Sequence, residues 1–413
     1  MLVVQKYGGT SVGTTERIRA VADRVAQTTR AGHACVVVVS AMGHSTDALV
    51  QLAEELVEHR DAREMDQLLA TGEQVSASLL AMRLLELGFK AKSLTGWQAG
   101  IQTEPIHGNA RVSSIDTNTL QQLIADGVIP VVTGFQGIAN GQVTTLGRGG
   151  SDTSAVALAA ALKADLCEIY TDVDGIYTTD PRVVPEAVKL ADISYDEMLE
   201  LANLGAQVLH PRAVENAKHF EVPLVVRSSF SEKDGTNVVT MTENRMEGRR
   251  VVTGIAFERQ VARIAVIGVP VQEHGLAVIF SELAAHGVNV DVIVQSVVDE
   301  AAVDVSFTVN EADVSRAVSV VSELQETLGF KKIESESKLA KVSIVGAGMI
   351  SNPGVAAQMF VTLRDAGIPI HMVSTSEIKV SCVVRAGDVE PAVQALHKTF
   401  VEADTTAPLT KSR

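Results

Sequence analysis

Short runs of valine and isoleucine recur through the first 230 residues of the chain. LVVQKY (2–7), ACVVVVS (34–40), VIPVVTGF (128–135), LCEIYT (166–171) and PLVVRSS (223–229) are apolar at consecutive positions and bounded by turn residues. Strands buried on both faces have that composition. Between them, TERIRAVADRVAQTTRAG (15–32) and MDQLLATGEQVSASLLAMRLLELG (65–88) place apolar residues at helical spacing. The alternation predicts an α/β domain, a largely parallel sheet sandwiched by helices, with ligand loops at the carboxyl ends of the strands.

The pattern changes after residue 230. SEKDGTNVVTMTENRMEGRR (231–250) is polar and charged, as a junction would be. Beyond it, RIAVIGVPVQEHGLAVIFSELAAHGVNVDVIVQS (263–296) and KVSIVGAGMISNPGVAAQMFVTLRDAGIPIHMVSTS (341–376) share one layout: strand, glycine loop, helix, glycine, strand. Gly268, Gly275 and Gly287 correspond to Gly346, Gly354 and Gly367. Each half continues with another strand and helix, which predicts two ferredoxin-like βαββαβ units. The expected divisions are 1–240 for the first domain, 263–330 and 341–403 for the two units, and a junction over 241–262 that can add a strand to the second region.

At 413 residues, with 46% hydrophobic and 21% charged residues, the chain has the balance of a soluble, multidomain globular protein. The formal charge of −15 argues against a nucleic-acid or anionic-membrane surface. A site for anions must therefore be locally positive. No apolar run approaches the length of a membrane span, and the amino terminus passes straight from a strand into a glycine turn, so a cytoplasmic location is expected. Cys35, Cys167 and Cys382 each lie in an apolar run without metal spacing, which predicts buried thiols.

Three stretches carry chemistry. KYGGTS (6–11) sets a lysine at a strand end before two glycines; it is either a plain turn or a phosphate cradle of Lys6, Gly8 and Gly9, and it is not a Walker A loop. TLGRGGSDTSA (145–155) is either a turn capped by Ser151 or Asp152, or an anion site in which Arg148 and a helix start face a carboxylate or phosphate. TDVDGIYTTDPR (171–182) follows a buried strand and offers Asp172, Tyr177 and Arg182 to a nucleotide.

Together with TGE (71–73), GAQVLHPRA (205–213), RSSF (227–230) and the tandem tail, these motifs in this order resemble the amino-acid kinase family. Within it they are similar to the aspartate kinases, which carry paired C-terminal ACT units. The resemblance implies ATP-dependent phosphorylation of the β-carboxylate of L-aspartate to 4-phospho-L-aspartate, with Mg²⁺ bridging the ATP phosphates. It also implies feedback by lysine, threonine or both, bound at the ACT units.

The resemblance assigns roles as follows. Lys6 neutralises the transferring phosphoryl group, and Asp152 orients that lysine. Arg148 meets the aspartate α-carboxylate and Glu73 its ammonium, with Ser40, Thr46, Phe135 and Ser151 as further substrate contacts. Nucleotide contacts fall on Lys6, Tyr7, Gly8, Gly9, Thr171, Asp172, Tyr177 and Arg182, and on Gln207, where many relatives carry lysine. Effector contacts fall on Gly275, Asn289, Val290, Asp291 and Gln295 in the first unit and on Ser376 and Glu377 in the second, whose GIPIH departs from the usual pattern. His210 reads as a packing residue. ACT pairing implies a homo-oligomer, or assembly with a regulatory chain started internally at Met246. The competing readings are a kinase of the same fold acting on glutamate, acetylglutamate, carbamate or UMP, and an inactive amino-acid sensor; intact Lys6, Arg148 and Asp152 argue against the sensor.

Overall fold

The computed structural model describes residues 1–205, 208–240, 250–271, 274–297 and 301–402. Gln207 and Met246 lie outside the described residues. The chain divides into two compact units: Met1–Ile176 with Lys189–Asn203 and Gln207–Glu243, and Tyr177–Val188 with Leu204–Ala206 and Asn244–Arg413.

The first unit is built on an eight-stranded sheet. In spatial order its strands are Asp192–Ser194, Thr236–Val239, Leu224–Ser228, Leu166–Thr171, Leu2–Tyr7, Ala34–Val39, Val128–Thr133 and Lys90–Leu94. Every neighbouring pair is parallel except Leu224–Ser228 with Thr236–Val239. The valine-rich runs form the centre because helices cover both of its faces. On one face, helices Thr15–Arg30 and Thr71–Glu86 bury Val21, Val25, Leu80 and Leu84 against Tyr7, Val37, Val39 and Val131. On the other, helix Gly150–Leu162 packs on the strands Leu2–Tyr7 and Leu166–Thr171.

Side chains alternate across a strand, so Lys6 and Tyr7 point to opposite faces. Tyr7 is fully buried and stacks on Tyr170, with ring centroids 4.7 Å apart. Its side chain therefore cannot be the nucleotide contact that the motif suggested.

Two features departed from the sequence pattern. The apolar periodicity over 65–88 divides at Ala70 into helices Ala62–Leu69 and Thr71–Glu86. A separate four-stranded sheet, ordered Val112–Ile115, Ile101–Thr103, Gln136–Ala139 and Gln142–Thr145, carries the turn into TLGRGG on its last strand.

The second unit holds one six-stranded antiparallel sheet, ordered Ile293–Val297, Ala302–Asn310, Gly254–Pro270, Lys332–Val345, Lys379–Arg385 and Met372–Thr375. Its two long central strands serve both repeats. Gly254–Glu258 pairs with Lys341–Val345 beside the second repeat, and Arg263–Ile267 pairs with Lys332–Glu336 beside the first. Lys332–Glu336 follows the first repeat's last helix as its fourth strand, whereas the second repeat obtains its fourth strand, Gly254–Glu258, from upstream of the first. Separate apolar cores lie under the repeats, around Ile264, Phe307 and Val321 in one and Val342, Leu363 and Leu396 in the other.

Residues 177–188 pack in this unit although they come soon after the strand Leu166–Thr171 of the first. Val184 joins the second repeat's core, Ile255 donates its amide to the Thr178 carbonyl, and Thr178 Oγ1 lies 3.0 Å from Nε2 of buried His397. The three cysteines are buried, and burial raises the thiol pKa of each.

Candidate active site

The carboxyl ends of the parallel strands bring the chemistry of the first unit together. Lys6 Nζ lies 2.6 Å from Asp152 Oδ1, an ion pair with only about 11% of either side chain exposed. The strand Leu2–Tyr7 supplies the lysine, and the first turn of helix Gly150–Leu162 supplies the aspartate. Near a helix start the aspartate also faces the favourable end of the dipole.

The cap by Ser151 or Asp152, one of the two readings of this turn, is not made. Gly149 occupies the cap position with φ of +66°, and no side chain caps the helix. Freed from capping, Asp152 can hold the lysine.

Glycine turns set the backbone around this pair. Gly8 does not offer its amide to a ligand, because that amide donates to the Tyr170 carbonyl at 3.2 Å. The bond ties the turn after Lys6 to the neighbouring strand. Gly9 approaches the backbone of Ala41 and Gly43 so closely that an added Cβ would lie 3.0 Å from the Ala41 carbonyl oxygen. Its own amide has no partner among the described residues, which leaves it able to donate to a ligand.

Glu73, expected as the ammonium partner, stands in the first turn of helix Thr71–Glu86 and is only 3% exposed. Its Oε1 accepts the Ala41 amide at 3.1 Å, while its Oε2 is buried with no partner. Burial pushes its pKa up to about 7, against the pull of the Glu73 and Ala41 amides. An unpaired oxygen on a buried carboxyl is costly unless a donor arrives, and a substrate ammonium is such a donor.

Arg148 is exposed and makes no bond to any described residue, so its guanidinium is available to an anion. Ser40 and Thr46 are half-buried, on either side of the turn after Ala34–Val39. Phe135 holds a left-handed φ of +70°, and its amide donates to Ser154 Oγ at 3.1 Å. The approach of strand to helix here is tight, since a Cβ on Gly134 would come within 2.7 Å of the Ser151 side chain.

Of the residues expected to meet a nucleotide, Thr171 donates from its Oγ1 to Asp172 at 3.1 Å, and its carbonyl accepts from the Ser229 amide and hydroxyl. Tyr177 and Arg182 belong to the second unit, where Arg182 grips Asp180 through several hydrogen bonds, the shortest 2.7 Å. Gln207 lies outside the described residues.

His210 and Arg212 emerge as neighbours that composition alone did not distinguish. A Cβ on Gly149 would come within 2.1 Å of the His210 ring, so the imidazole lies directly against this glycine. Burial lowers the His210 pKa, with Asp152 pulling the other way. The HPR triplet was the available signal: histidine at a cap, proline at the first helical position, then arginine.

In the second unit, the expected effector residues fall in two places. Gly275 and Gln295 line a cavity of about 280 Å³ with His274 and Val269. Asn289 and Asp291 line another of about 180 Å³ with Glu258 and Asn310. Asp291 already accepts a hydrogen bond from buried Lys341, which also bonds Glu258 at 2.8 Å. Burial works against the Lys341 charge, but these two carboxylates outweigh it and raise its pKa. Val290 precedes the edge strand Ile293–Val297, and Ser376 and Glu377 are exposed at the turn before Lys379–Arg385. Among the described residues, no group of His, Cys, Asp or Glu is arranged to hold a metal ion, and no helix is long and apolar enough to cross a membrane.

Comparison with known proteins identifies the family. Residues 1–228 match the amino acid kinase family and residues 342–400 match the ACT domain. The chain is 56% identical to an aspartokinase of Bacillus sp. (strain MGA3) and to aspartokinase 2 of Bacillus subtilis (strain 168), in each case over 97% of both chains. Its fold is similar to that of E. coli aspartokinase III solved with aspartate and ADP: 29% identity, TM-score 0.80, covering 97% of this chain and 100% of that one. The same enzyme solved with lysine and aspartate gives 28% identity and a TM-score of 0.74, covering 97% and 99%.

Proposed function

This chain belongs to the amino acid kinase family, and we propose that it transfers the γ-phosphoryl group of ATP to the β-carboxylate of L-aspartate, under feedback by lysine through its ACT units. The observation that carries the assignment of roles is the Lys6–Asp152 pair, set at the strand ends in one unit with an available arginine and a carboxyl oxygen that lacks a donor.

An aspartate β-carboxylate is ionised at neutral pH and attacks without losing a proton. Its oxygen forms a bond to the γ-phosphorus as the bond to the β-phosphate oxygen breaks; ADP departs and an acyl phosphate remains. Such a reaction calls for positioning and for positive charge where negative charge accumulates. Lys6 supplies that charge, and Asp152 fixes its direction. Arg148 takes the α-carboxylate in a bidentate grip, and Glu73 Oε2 accepts from the α-ammonium. Ser40, Thr46, Phe135 and Ser151 complete the substrate pocket.

Lys6, Gly9, Thr171 and Asp172 form the nucleotide side of the proposal. Mg²⁺ fits as a passenger on the ATP phosphates, since the described residues offer no carboxylate cage and this ion retains much of its water. Threonine, alone or with lysine, is the second candidate effector, and pairing of ACT units between chains is the proposed mode of assembly.

Product formation with ATP and each of aspartate, glutamate, acetylglutamate, carbamate and UMP tests the substrate. Turnover confined to aspartate is expected; a preference for any other acceptor would transfer Glu73 and Arg148 to a different ligand.

A further inference from the structure

The HPR triplet lies outside the roles assigned above, yet its arginine reaches the backbone of the substrate turn. His210 Nδ1 accepts the Arg212 amide and caps helix Pro211–His219, which fixes where the arginine side chain departs. Its guanidinium donates to the Leu146 carbonyl at 2.7 Å, the Ala110 carbonyl at 2.8 Å and Asn109 Oδ1 at 2.9 Å. All three acceptors are neutral, and no carboxylate lies within ion-pair distance among the described residues. An arginine that spends its rigid fork on peptide oxygens is fixing backbone rather than balancing charge.

The location of those oxygens gives the contacts meaning. Leu146 is fully buried, its amide donates to the Phe135 carbonyl at 2.8 Å, and Arg148 follows two residues later. One residue thus links two proposed substrate contacts through its amide, and Arg212 holds its carbonyl. The Ala110 amide bonds the Thr145 carbonyl, and buried Asp66 bonds both Thr145 Oγ1 and the Gly108 amide. The segment 108–110 is therefore stitched to the turn by the Ala110–Thr145 bond and through Asp66, and Arg212 adds a third link.

We infer that Arg212 is a positioning residue for aspartate: it holds the turn at Leu146 so that Arg148 and Phe135 present themselves at the right separation. The inference rests on the proposed reading of Arg148 as the partner of the substrate carboxylate.

The test is steady-state kinetics of Arg212→Lys in the full chain, with both substrates varied. Lysine keeps the charge but cannot reach three oxygens in a plane. The expected result is an aspartate KM raised about tenfold, an ATP KM within about twofold of wild type, and a smaller change in kcat. A purely structural arginine would instead lower thermal stability and the active fraction with neither KM moved. An unchanged aspartate KM, or both KM values rising together, overturns the inference.

Should Arg212→Lys fail to fold, Asn109→Ala decides. It removes one acceptor from an exposed loop and should raise the aspartate KM about threefold, and no change overturns the inference. Arg148→Lys run alongside separates the two possible failures. If it leaves the aspartate KM alone, the reading of the turn is wrong; if it raises that KM while the Arg212 and Asn109 variants do not, only the brace is wrong.

Discussion

Glu73 shows what a single residue gains from its surroundings. In the sequence it is one carboxylate near a helix start, where the dipole alone would explain it. The structure adds burial, one bond to the Ala41 amide and one oxygen without a donor. None of these can be read from TGEQ, because Ala41 lies 32 residues away. The pKa near 7 has two consequences of known sign. Between about 4.5 and 7 the folded protein keeps a proton that the unfolded chain has released, so stability falls as pH rises across that window. Glu73→Gln should flatten that slope in denaturation measured from pH 4 to 8. If Glu73 takes the aspartate ammonium as proposed, binding needs its ionised carboxylate, so kcat/KM for aspartate should climb with pH through about 7, and the climb should vanish in Glu73→Gln. A flat profile in the wild type would remove Glu73 from the substrate site. Gly8 makes the opposite point, since its sequence suggested an amide for phosphate and the fold uses that amide on Tyr170.

At the level of elements, the buried strands were legible because valine and isoleucine run without interruption where helices cover both faces. KAKSL, IQT, QGIA and QVTT were not, being short, polar and paired at edges or in the small sheet, where no periodicity stands out. The turn proposed for the substrate could be read as a candidate anion site but not as a structure, because its shape depends on partners from three other segments. Gly149 concentrates that dependence: its φ is left-handed, and the His210 ring occupies the space of a side chain. Gly149→Ala should cost at least about 1–2 kcal/mol from backbone strain alone, with the collision added. The first denaturation transition should shift to lower temperature and the aspartate KM should rise. An unshifted transition with wild-type KM would mean that the turn adapts freely.

Across the whole molecule, the tandem repeat was visible as a repeated layout of glycines, strands and helices. The junction over 241–262 was read as able to add a strand, which Gly254–Glu258 does beside the second repeat, but its pairing was not legible, because register is not written in either repeat alone. Nor was the place of residues 177–188, which chain order attaches to the first domain while Val184 fills a core of the second unit. Truncation before Val251 should therefore expose Val184 and leave Thr178 without His397, lowering stability as well as removing feedback. Limited proteolysis should cut the truncated protein within 177–188, and resistance equal to wild type would contradict this. Asp291→Ala should raise the lysine concentration for half-inhibition about tenfold, within the usual range of coupling energies. An unchanged half-inhibition would place the effector at the Gly275 cavity instead.

The central claim is that Lys6, held by Asp152, promotes phosphoryl transfer from ATP to aspartate. The most direct test is aspartate-dependent ADP formation by the full chain with ATP and Mg²⁺, compared between wild type and a folded Lys6→Ala variant. The account predicts that ADP appears only when aspartate is present, and that the variant loses at least about a hundredfold in kcat with its fold intact. ADP release indifferent to aspartate, or a folded Lys6→Ala variant with near wild-type kcat, would contradict it.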